Sequence, residues 1–156
     1  MTVPQAREAS PDIKTVSDYI SLLFSQGNYA DAVIFCQKVL QTNANDYAVW
    51  GNLGIALRKL NHEAAALVCL KRAAELGPAS LPLLRHHAHC LRQMGRKDEA
   101  LQAYADALKL FPDDFDLHLF YAGGLDKFGR HEECLARMNA VLKLDPGNAE
   151  ALWHRA

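Results

Sequence analysis

Apolar residues recur along this chain with a period of 34 residues. Leucine returns in one column, on the apolar stripe expected of an amphipathic helix: Leu23, Leu57, Leu91 and Leu125. A second column, nine residues later, holds only small residues: Ala32, Ala66, Ala100 and Cys134. Small residues let two helix backbones approach closely, whereas a large residue there would overpack them. The pattern therefore predicts a repeated pair of packed helices.

Three polar or turn-forming columns share this period and predict where the helices stop and start. The first can adopt the left-handed conformation that ends a helix: Gly27, Asn61, Gly95 and Gly129. The second stops the second helix of each pair, with Ala44 in its first slot: Pro78, Pro112 and Pro146. The third can accept hydrogen bonds at the start of the next helix: Asp46, Ser80, Asp114 and Asn148.

Together the columns predict an all-α solenoid of four helix-turn-helix units and the start of a fifth. The helices are expected near 13–26 and 29–42, 47–60 and 63–76, 81–94 and 97–110, and 115–128 and 131–144. The units would cover 13–46, 47–80, 81–114 and 115–148, with a loose N-terminal tail at 1–12. Residues 149–156 repeat the start of a unit, as a partial fifth repeat or a capping helix, and we expect the natural chain to continue beyond them.

Composition narrows the function classes. The chain has 156 residues, half of them hydrophobic, and a formal net charge of −1, which gives no reason to expect nucleic acid or an anionic membrane as a partner. The N-terminus has no apolar stretch of the secretory type, so we expect a cytoplasmic protein. Four scattered cysteines without CxxC spacing indicate reduced core residues: Cys36, Cys69, Cys90 and Cys134.

The sequence resembles the tetratricopeptide-repeat (TPR) family over residues 13–148. The second unit matches the family motif most completely, through Trp50, Leu53, Gly54, Leu57, Ala66, Ala73 and Pro78. The first unit departs most, with Ile20 where glycine or alanine is usual and Ala44 in place of proline. Terminal repeats are commonly atypical, so this departure fits a capping unit.

The resemblance implies a right-handed superhelix whose concave surface comes mainly from the first helix of each pair. In the family that surface binds peptides or helices of partner proteins, so we expect a scaffold or adaptor that needs no cofactor or metal and catalyses no reaction. The positions that would form the groove are Asn52, Ile55, Arg58, Lys59, Arg85, His86, His89, Arg92, Leu119, Phe120 and Lys127.

The centre of this predicted groove is basic. Arginine forks bind carboxylates and a concave wall focuses their field, so one hypothesis is that the groove holds an acidic or carboxylate-bearing segment. Gly51 and Gly123 would leave room for a ligand backbone. The alternative hypothesis is that these charged side chains bind no ligand and are solvated on the exposed faces of the helices.

Two specialised kinds of TPR groove do not match. In the register that starts with the first unit, a carboxylate clamp of the chaperone-binding type would require lysine, asparagine or arginine where this chain has Ser17, Ser21, Pro82 and His86; only Asn52 agrees. An asparagine ladder like that of O-GlcNAc transferases is also absent, because the Asn52 column continues with His86 and Phe120.

The one cluster that suggests a metal is His86, His89 and Cys90, in which His86 lies one helical turn from each of the other two. A stable zinc site normally needs three or four ligands, so packing is the favoured interpretation, with His87 in a core column and Cys90 between helices. Cys134 is expected to be buried and therefore a poor nucleophile. No phosphate-binding loop and no GxSxG or HExxH motif is present.

Two alternatives to a free-standing scaffold remain open. By analogy with bacterial glycosyltransferases and sulfotransferases, the chain could be the N-terminal repeat arm of a larger enzyme, serving recognition or oligomerisation. The unfinished fifth unit also suggests self-association, in which Leu152 and Trp153 would pack on another copy.

Overall fold

A computed structural model describes residues 15–149 and 151–152 of the chain. Within those residues the fold is all-α, with eight helices and no strand: α1 (Val16–Ser25), α2 (Tyr29–Thr42), α3 (Tyr47–Lys59), α4 (Glu63–Leu76), α5 (Leu81–Gln93), α6 (Lys97–Leu110), α7 (Phe115–Lys127) and α8 (His131–Leu144). The predicted tail at 1–12 and the predicted contact of Trp153 lie outside the described residues.

The helix positions confirm the expectation from the repeat. The second helix of every pair has the predicted bounds, and α3, α5 and α7 end one residue before the predicted end. All four turn residues are left-handed: the φ angle is 72° at Gly27, 62° at Asn61, 72° at Gly95 and 76° at Gly129. The turn column therefore marks where each first helix ends.

The predicted capping hydrogen bond forms at three of the four positions of the third polar column. The side chains of Asp46, Asp114 and Asn148 accept hydrogen bonds from the backbone N–H three residues later, at 3.1, 2.8 and 2.9 Å. Ser80 makes no such bond, so that prediction is wrong. Pro82, two residues later, has no N–H, but the donor that the other three caps use lies three residues after the cap and is present on Leu83, so Pro82 does not account for the missing bond.

A further cap was not predicted from the repeat. Thr15 precedes α1 and forms a reciprocal capping box with Asp18, with backbone-to-side-chain distances of 3.1 and 2.9 Å. The sequence signal for this cap is local and consists of a threonine followed three residues later by an acidic residue. It lies outside the 34-residue columns.

Each helix packs on the next along the chain, and the first helices of successive pairs also contact one another, α1 with α3, α3 with α5 and α5 with α7. These first helices therefore form a continuous wall. The small column is buried between the two helices of each pair: Ala32, Ala66, Ala100 and Cys134. Leu57 differs from the other leucines of its column in being only half-buried, because it lines a surface cavity with Trp50 and Val68.

The close approach of α3 and α4 depends on a glycine. A Cβ atom added to Gly54 would lie 2.7 Å from Cγ of Leu70 and 3.2 Å from the carbonyl oxygen of Ala66. The equivalent positions in the next two units are Ala88 and Ala122. The second unit is thus packed too tightly at this point to accept a methyl group without a shift.

Two non-identical aromatic side chains make the same hydrogen bond in different units. The indole Nε1–H of Trp50 donates to the carbonyl of Ala44 at 2.8 Å. In the same column two units later, the Nε2–H of buried His118 donates to the carbonyl of Pro112 at 2.8 Å. His118 is therefore a structural residue that replaces tryptophan. Because His118 stands in the Trp50 column, the repeat register could have predicted this role from the sequence.

Candidate partner-binding site

Six residues from three first helices line a cavity of about 280 Å³, here called the basic pocket: Arg58, Pro82, Arg85, His86, His89 and Phe120. Five of them belong to the groove predicted from the sequence. Pro82 was missed, although it occupies the same column as Asp116, and the register could have identified it.

The pocket forms because the repeat brings different turns of neighbouring helices together. Arg58 lies in the last turn of α3, while His86 and His89 are one turn apart on α5 and so face the same side. Phe120 contributes the apolar wall from α7 and is 37% exposed. Pro82 lies in the first turn of α5, where its missing N–H leaves no helical hydrogen bond unmade.

Arg92 reaches the pocket indirectly, through His89. Its Nη2 donates to Nδ1 of His89 at 3.2 Å, so the neutral imidazole carries its proton on Nε2. Nε2 in turn lies 3.2 Å from the side-chain amide nitrogen of Gln93. With its proton on Nε2, the imidazole cannot also accept a hydrogen bond from that amide N–H, so the hydrogen bond from Arg92 holds the orientation of His89.

Both pocket histidines are held neutral. Burial, followed by the nearby charge of Arg58, lowers the pKa of His86 from 6.5 to about 4. Burial, followed by the charges of Arg92 and Arg58, lowers the pKa of His89 to about 4 as well. Burial is the larger cause for both imidazoles, and the like charges of the arginines disfavour a further proton as well.

The α5–α7 side of the wall balances part of its charge internally. The guanidinium of Arg85 donates to the carboxylate of Asp116, which lies in the first turn of α7. Near the other end of the same helices, Nζ of Lys127 donates to Oε1 of Gln93 at 3.3 Å. These two contacts tie α5 to α7.

Three further cations of the wall lack such pairing. In the part of the chain that the structure describes, no carboxylate lies within ion-pair distance of Arg58, Lys59 or Arg92. Nζ of Lys59 instead lies 5.9 Å from the ring centre of Tyr29. The buried Nε atoms of Arg58 and Arg92 have no hydrogen-bond partner among those residues. The wall around the basic pocket therefore carries positive charge that no carboxylate of the described chain pairs with.

The prediction that Gly51 leaves room for a ligand backbone is wrong. Gly51 is buried, and a Cβ atom there would lie 2.7 Å from Cδ1 of Leu83, so its space is filled by α5. At Gly123 the nearest atom to an added Cβ is Nη1 of Arg92, at 3.3 Å. The space above Gly123 is thus taken by a flexible arginine.

The remaining predicted groove residues do not line the basic pocket. Ile55 and Leu119 are partly buried and pack against the core. Asn52 is half-buried, whereas Lys59 and Lys127 are exposed. The charges of Lys59 and Lys127 act on His89 from beside the pocket, while the aliphatic members of the predicted set support the fold.

His87 was expected in the core but is only half-buried, because α5 turns it away from the basic pocket into a separate cavity of about 310 Å³ between α4 and α5. Leu70, Leu83 and Leu84 line that cavity with it. Burial, followed by the charge of Lys71, lowers the pKa of His87. His86 and His87 thus face different surroundings despite being adjacent in sequence.

The four cysteines are reduced and buried, as predicted. Burial raises the pKa of Cys36 to about 11, and burial together with a hydrogen bond to Glu63 raises the pKa of Cys90 to about 12. Burial also raises the pKa of Cys134. Thiols in this state are weak nucleophiles. Across the described residues, no three His, Cys, Asp or Glu side chains come together as a metal site would require.

Two family models match the chain. A tetratricopeptide-repeat model matches residues 91–155, and a model described as anaphase-promoting complex, cyclosome, subunit 3 matches residues 25–107. With the helix pairs, turns and buried columns described above, these matches show that the chain belongs to the tetratricopeptide-repeat family. No curated protein sequence matches it significantly.

Solved structures have the same fold. A structure described as YrrB, a TPR protein with an unusual peptide-binding site, is 21% identical with a TM-score of 0.77, covering 88% of this chain and 71% of that one. MamA is 18% identical with a TM-score of 0.80, covering 87% and 80%. MamA 41-end from Desulfovibrio magneticus RS-1 is 17% identical with a TM-score of 0.80, covering 89% and 78%. At these identities the likeness concerns the fold.

None of the helices described in the structure has the length and apolar character needed to span a membrane.

Proposed function

We propose that this chain is a protein–protein interaction scaffold that binds an acidic segment of a partner protein at the basic pocket. The proposal includes no catalytic step and no cofactor. The observation that carries it is the charge imbalance of the pocket, where Arg58 of α3 and Arg92, which contacts the pocket residue His89, have no carboxylate partner in the described chain.

The side chains of the pocket suit a carboxylate with an apolar neighbour. Guanidinium groups bind carboxylates through paired, charge-assisted hydrogen bonds. The neutral imidazoles of His86 and His89 supply additional N–H donors at the same place. Phe120 and Pro82 offer an apolar surface beside these donors. An acidic residue next to an aliphatic one would use both parts of the pocket.

The fold supports binding of this kind. A wall of first helices is the surface that TPR proteins use for peptides, and YrrB, one of the structural neighbours, has a peptide-binding site. The basic pocket lies on that wall in this chain.

The test is selection from a displayed library of random peptides on three forms of the protein. The first is the wild type, and the second carries Arg58→Gln, Arg85→Gln and Arg92→Gln. The third is a control with the same loss of charge, in which Arg72, Arg96 and Arg130 are changed to Gln. Each control arginine is exposed and paired with a glutamate three residues away.

We expect the wild type and the control to enrich the same peptides, rich in glutamate and aspartate, and the pocket variant to lose them. Circular dichroism establishes that all three forms are folded. Enrichment of the same acidic peptides by the pocket variant would contradict the proposal, as would enrichment of peptides with no acidic residues by the wild type.

A role as the N-terminal arm of a larger enzyme, self-association through Leu152 and a cytoplasmic location all stay predictions from the sequence. Leu152 is 43% exposed, as self-association would require, although single exposed leucines are common on protein surfaces.

A further inference from the structure

One carboxylate of the chain itself already lies on the basic pocket. Asp116 accepts a hydrogen bond from the guanidinium of Arg85, one of the six pocket residues. The side chain of Asp116 is 53% exposed and that of Arg85 is 26% exposed, so the pair lies at the solvent-facing side of the pocket. Among the pocket arginines, Arg85 alone has a carboxylate partner within the described residues.

The position of Asp116 on α7 explains why it reaches the pocket. Asp116 precedes Phe120 by four residues, so both side chains project from the same face of α7. Phe120 forms the apolar wall of the pocket, and Asp116 lies one helical turn before it. A ligand carboxylate that approaches Arg85 along this wall meets Asp116 there first.

From this arrangement we infer that Asp116 is an internal competitor of the acidic ligand: it occupies Arg85 in the free protein and is displaced when a partner carboxylate binds. The inference rests on the function proposed above and adds a residue that sets the affinity and selectivity of the pocket. A partner must replace the contact between Arg85 and Asp116 with a better one, so weakly acidic segments are rejected.

A ligand can displace Asp116 only because the ion pair between Arg85 and Asp116 is weak. An exposed ion pair contributes little, since solvent screens both charges. A ligand that also contacts Arg58, His86 and the Phe120 ring has several additional interactions that Asp116 cannot make from the first turn of α7. Displacement of Asp116 is then favourable for a ligand that fills the pocket.

The test measures binding of a fluorescein-labelled, extended glutamate-rich peptide with a central leucine, by fluorescence anisotropy, to Asp116→Asn and Asp126→Asn. Asp126 is a matched control, because it lies on the same helix but contacts His131 of α8 rather than the pocket. Both changes remove one negative charge from α7. The glutamine analogue of the peptide measures binding that does not depend on its charge.

We expect Asp116→Asn to lower the Kd by about two- to fivefold relative to Asp126→Asn, the range that the strength of an exposed ion pair allows. When Arg85→Gln is also present, Asp116→Asn should have no further effect, because the contested group has been removed. Thermal unfolding of each variant establishes that it is folded.

Equal Kd values for the two aspartate variants would overturn the inference and leave the proposed function intact, since wild-type binding would then be independent of Asp116. An unchanged benefit of Asp116→Asn in the Arg85→Gln background would also overturn it. If neither the wild type nor Asp116→Asn binds the peptide, the inference fails, while the library selection separately decides the proposed function.

Discussion

The α3–α5 junction and the α5–α7 junction are built from the same columns of the repeat, yet they balance their charges differently. At the α5–α7 junction, Asp116 pairs with Arg85, and Gln93 accepts from Lys127. At the α3–α5 junction, Arg58 has no carboxylate partner in the described chain. The α5–α7 junction thus has an internal ion pair, whereas the described residues provide none between α3 and α5.

The difference arises from single residues in shared columns. The Arg58 column continues with Arg92 and then Asp126, so its charge changes sign along the wall. The column of Pro82 continues with Asp116, which supplies the acid that Arg85 contacts. The fold fixes the positions of these side chains, and the residue type in each position decides which junction can bind a partner.

The largest expected effect concerns Arg58 and Lys127, one cation from each junction. Arg58→Gln should raise the Kd for the glutamate-rich peptide about ten- to a hundredfold, the range for loss of a hydrogen bond between charged groups. Lys127→Gln should raise it by at most about fivefold, because Lys127 is exposed and screened. Anisotropy titrations measure both, and equal effects would remove the distinction between the junctions.

A second prediction compares glycines in α3 and α7. Gly54→Ala should lower the free energy of unfolding by about 1–3 kcal/mol, because its methyl group would overlap Leu70 and press on the backbone of Ala66. Gly123→Ala should instead raise it by up to about 1 kcal/mol, since alanine favours helix and only the movable tip of Arg92 is near. Urea unfolding of both variants checks this, and destabilisation by Gly123→Ala alone would reverse our interpretation.

A third prediction uses pH to probe the neutral histidines of the pocket. The pKa values of His86 and His89 are lowered from 6.5 to about 4 in the folded state, so protons bind the unfolded chain more tightly. Their contribution to stability is complete above pH 6.5 and is lost as the pH falls towards 4. The double change His86→Gln and His89→Gln should reduce the fall in Tm over this interval.

The control for the pH experiment is His62→Gln combined with His131→Gln, at two exposed histidines outside the pocket. These changes remove two imidazoles without altering the basic pocket. If the control reduces the fall in Tm as much as the pocket variant does, the pocket histidines are not its cause.

The smallest expected effects concern the helix caps at the start of α5 and α7. Asp114→Ala should lower the free energy of unfolding by about 0.5–2 kcal/mol, because it removes the hydrogen bond to the N–H of Leu117. Ser80→Ala should have almost no effect, since Ser80 makes no capping bond. Chemical denaturation can resolve the difference, and equal losses would show that Ser80 caps α5 in solution.

The helices could be predicted from the sequence because their determinants are local and repeated. Gly95 is left-handed and Ala100 is buried for reasons that involve only their own unit and its packing. The contact between Arg85 and Asp116 was not predicted, because it depends on how two long side chains meet across neighbouring units.

The wrong predictions for Gly51 and His87 have the same physical origin. Gly51 lies in a groove column, but Leu83 of the next unit fills the space above it. The half-burial of His87 depends on how closely α4 and α5 pack around it. A column identifies which face of a helix a residue occupies, whereas the side chains of neighbouring units decide what that residue contacts.

The acidic partner segment is proposed to bind at the basic pocket, between α3, α5 and α7. The most direct measurement is an NMR titration of the wild-type chain with the glutamate-rich peptide, following the imidazole signals of every histidine and the guanidinium signals of every arginine. We predict that His86, His89 and Arg58 shift most and that the pKa values of both imidazoles rise when the anion binds. Larger shifts at His87, His131 or the outer arginines Arg72 and Arg130, with the pocket signals unchanged, would contradict the account.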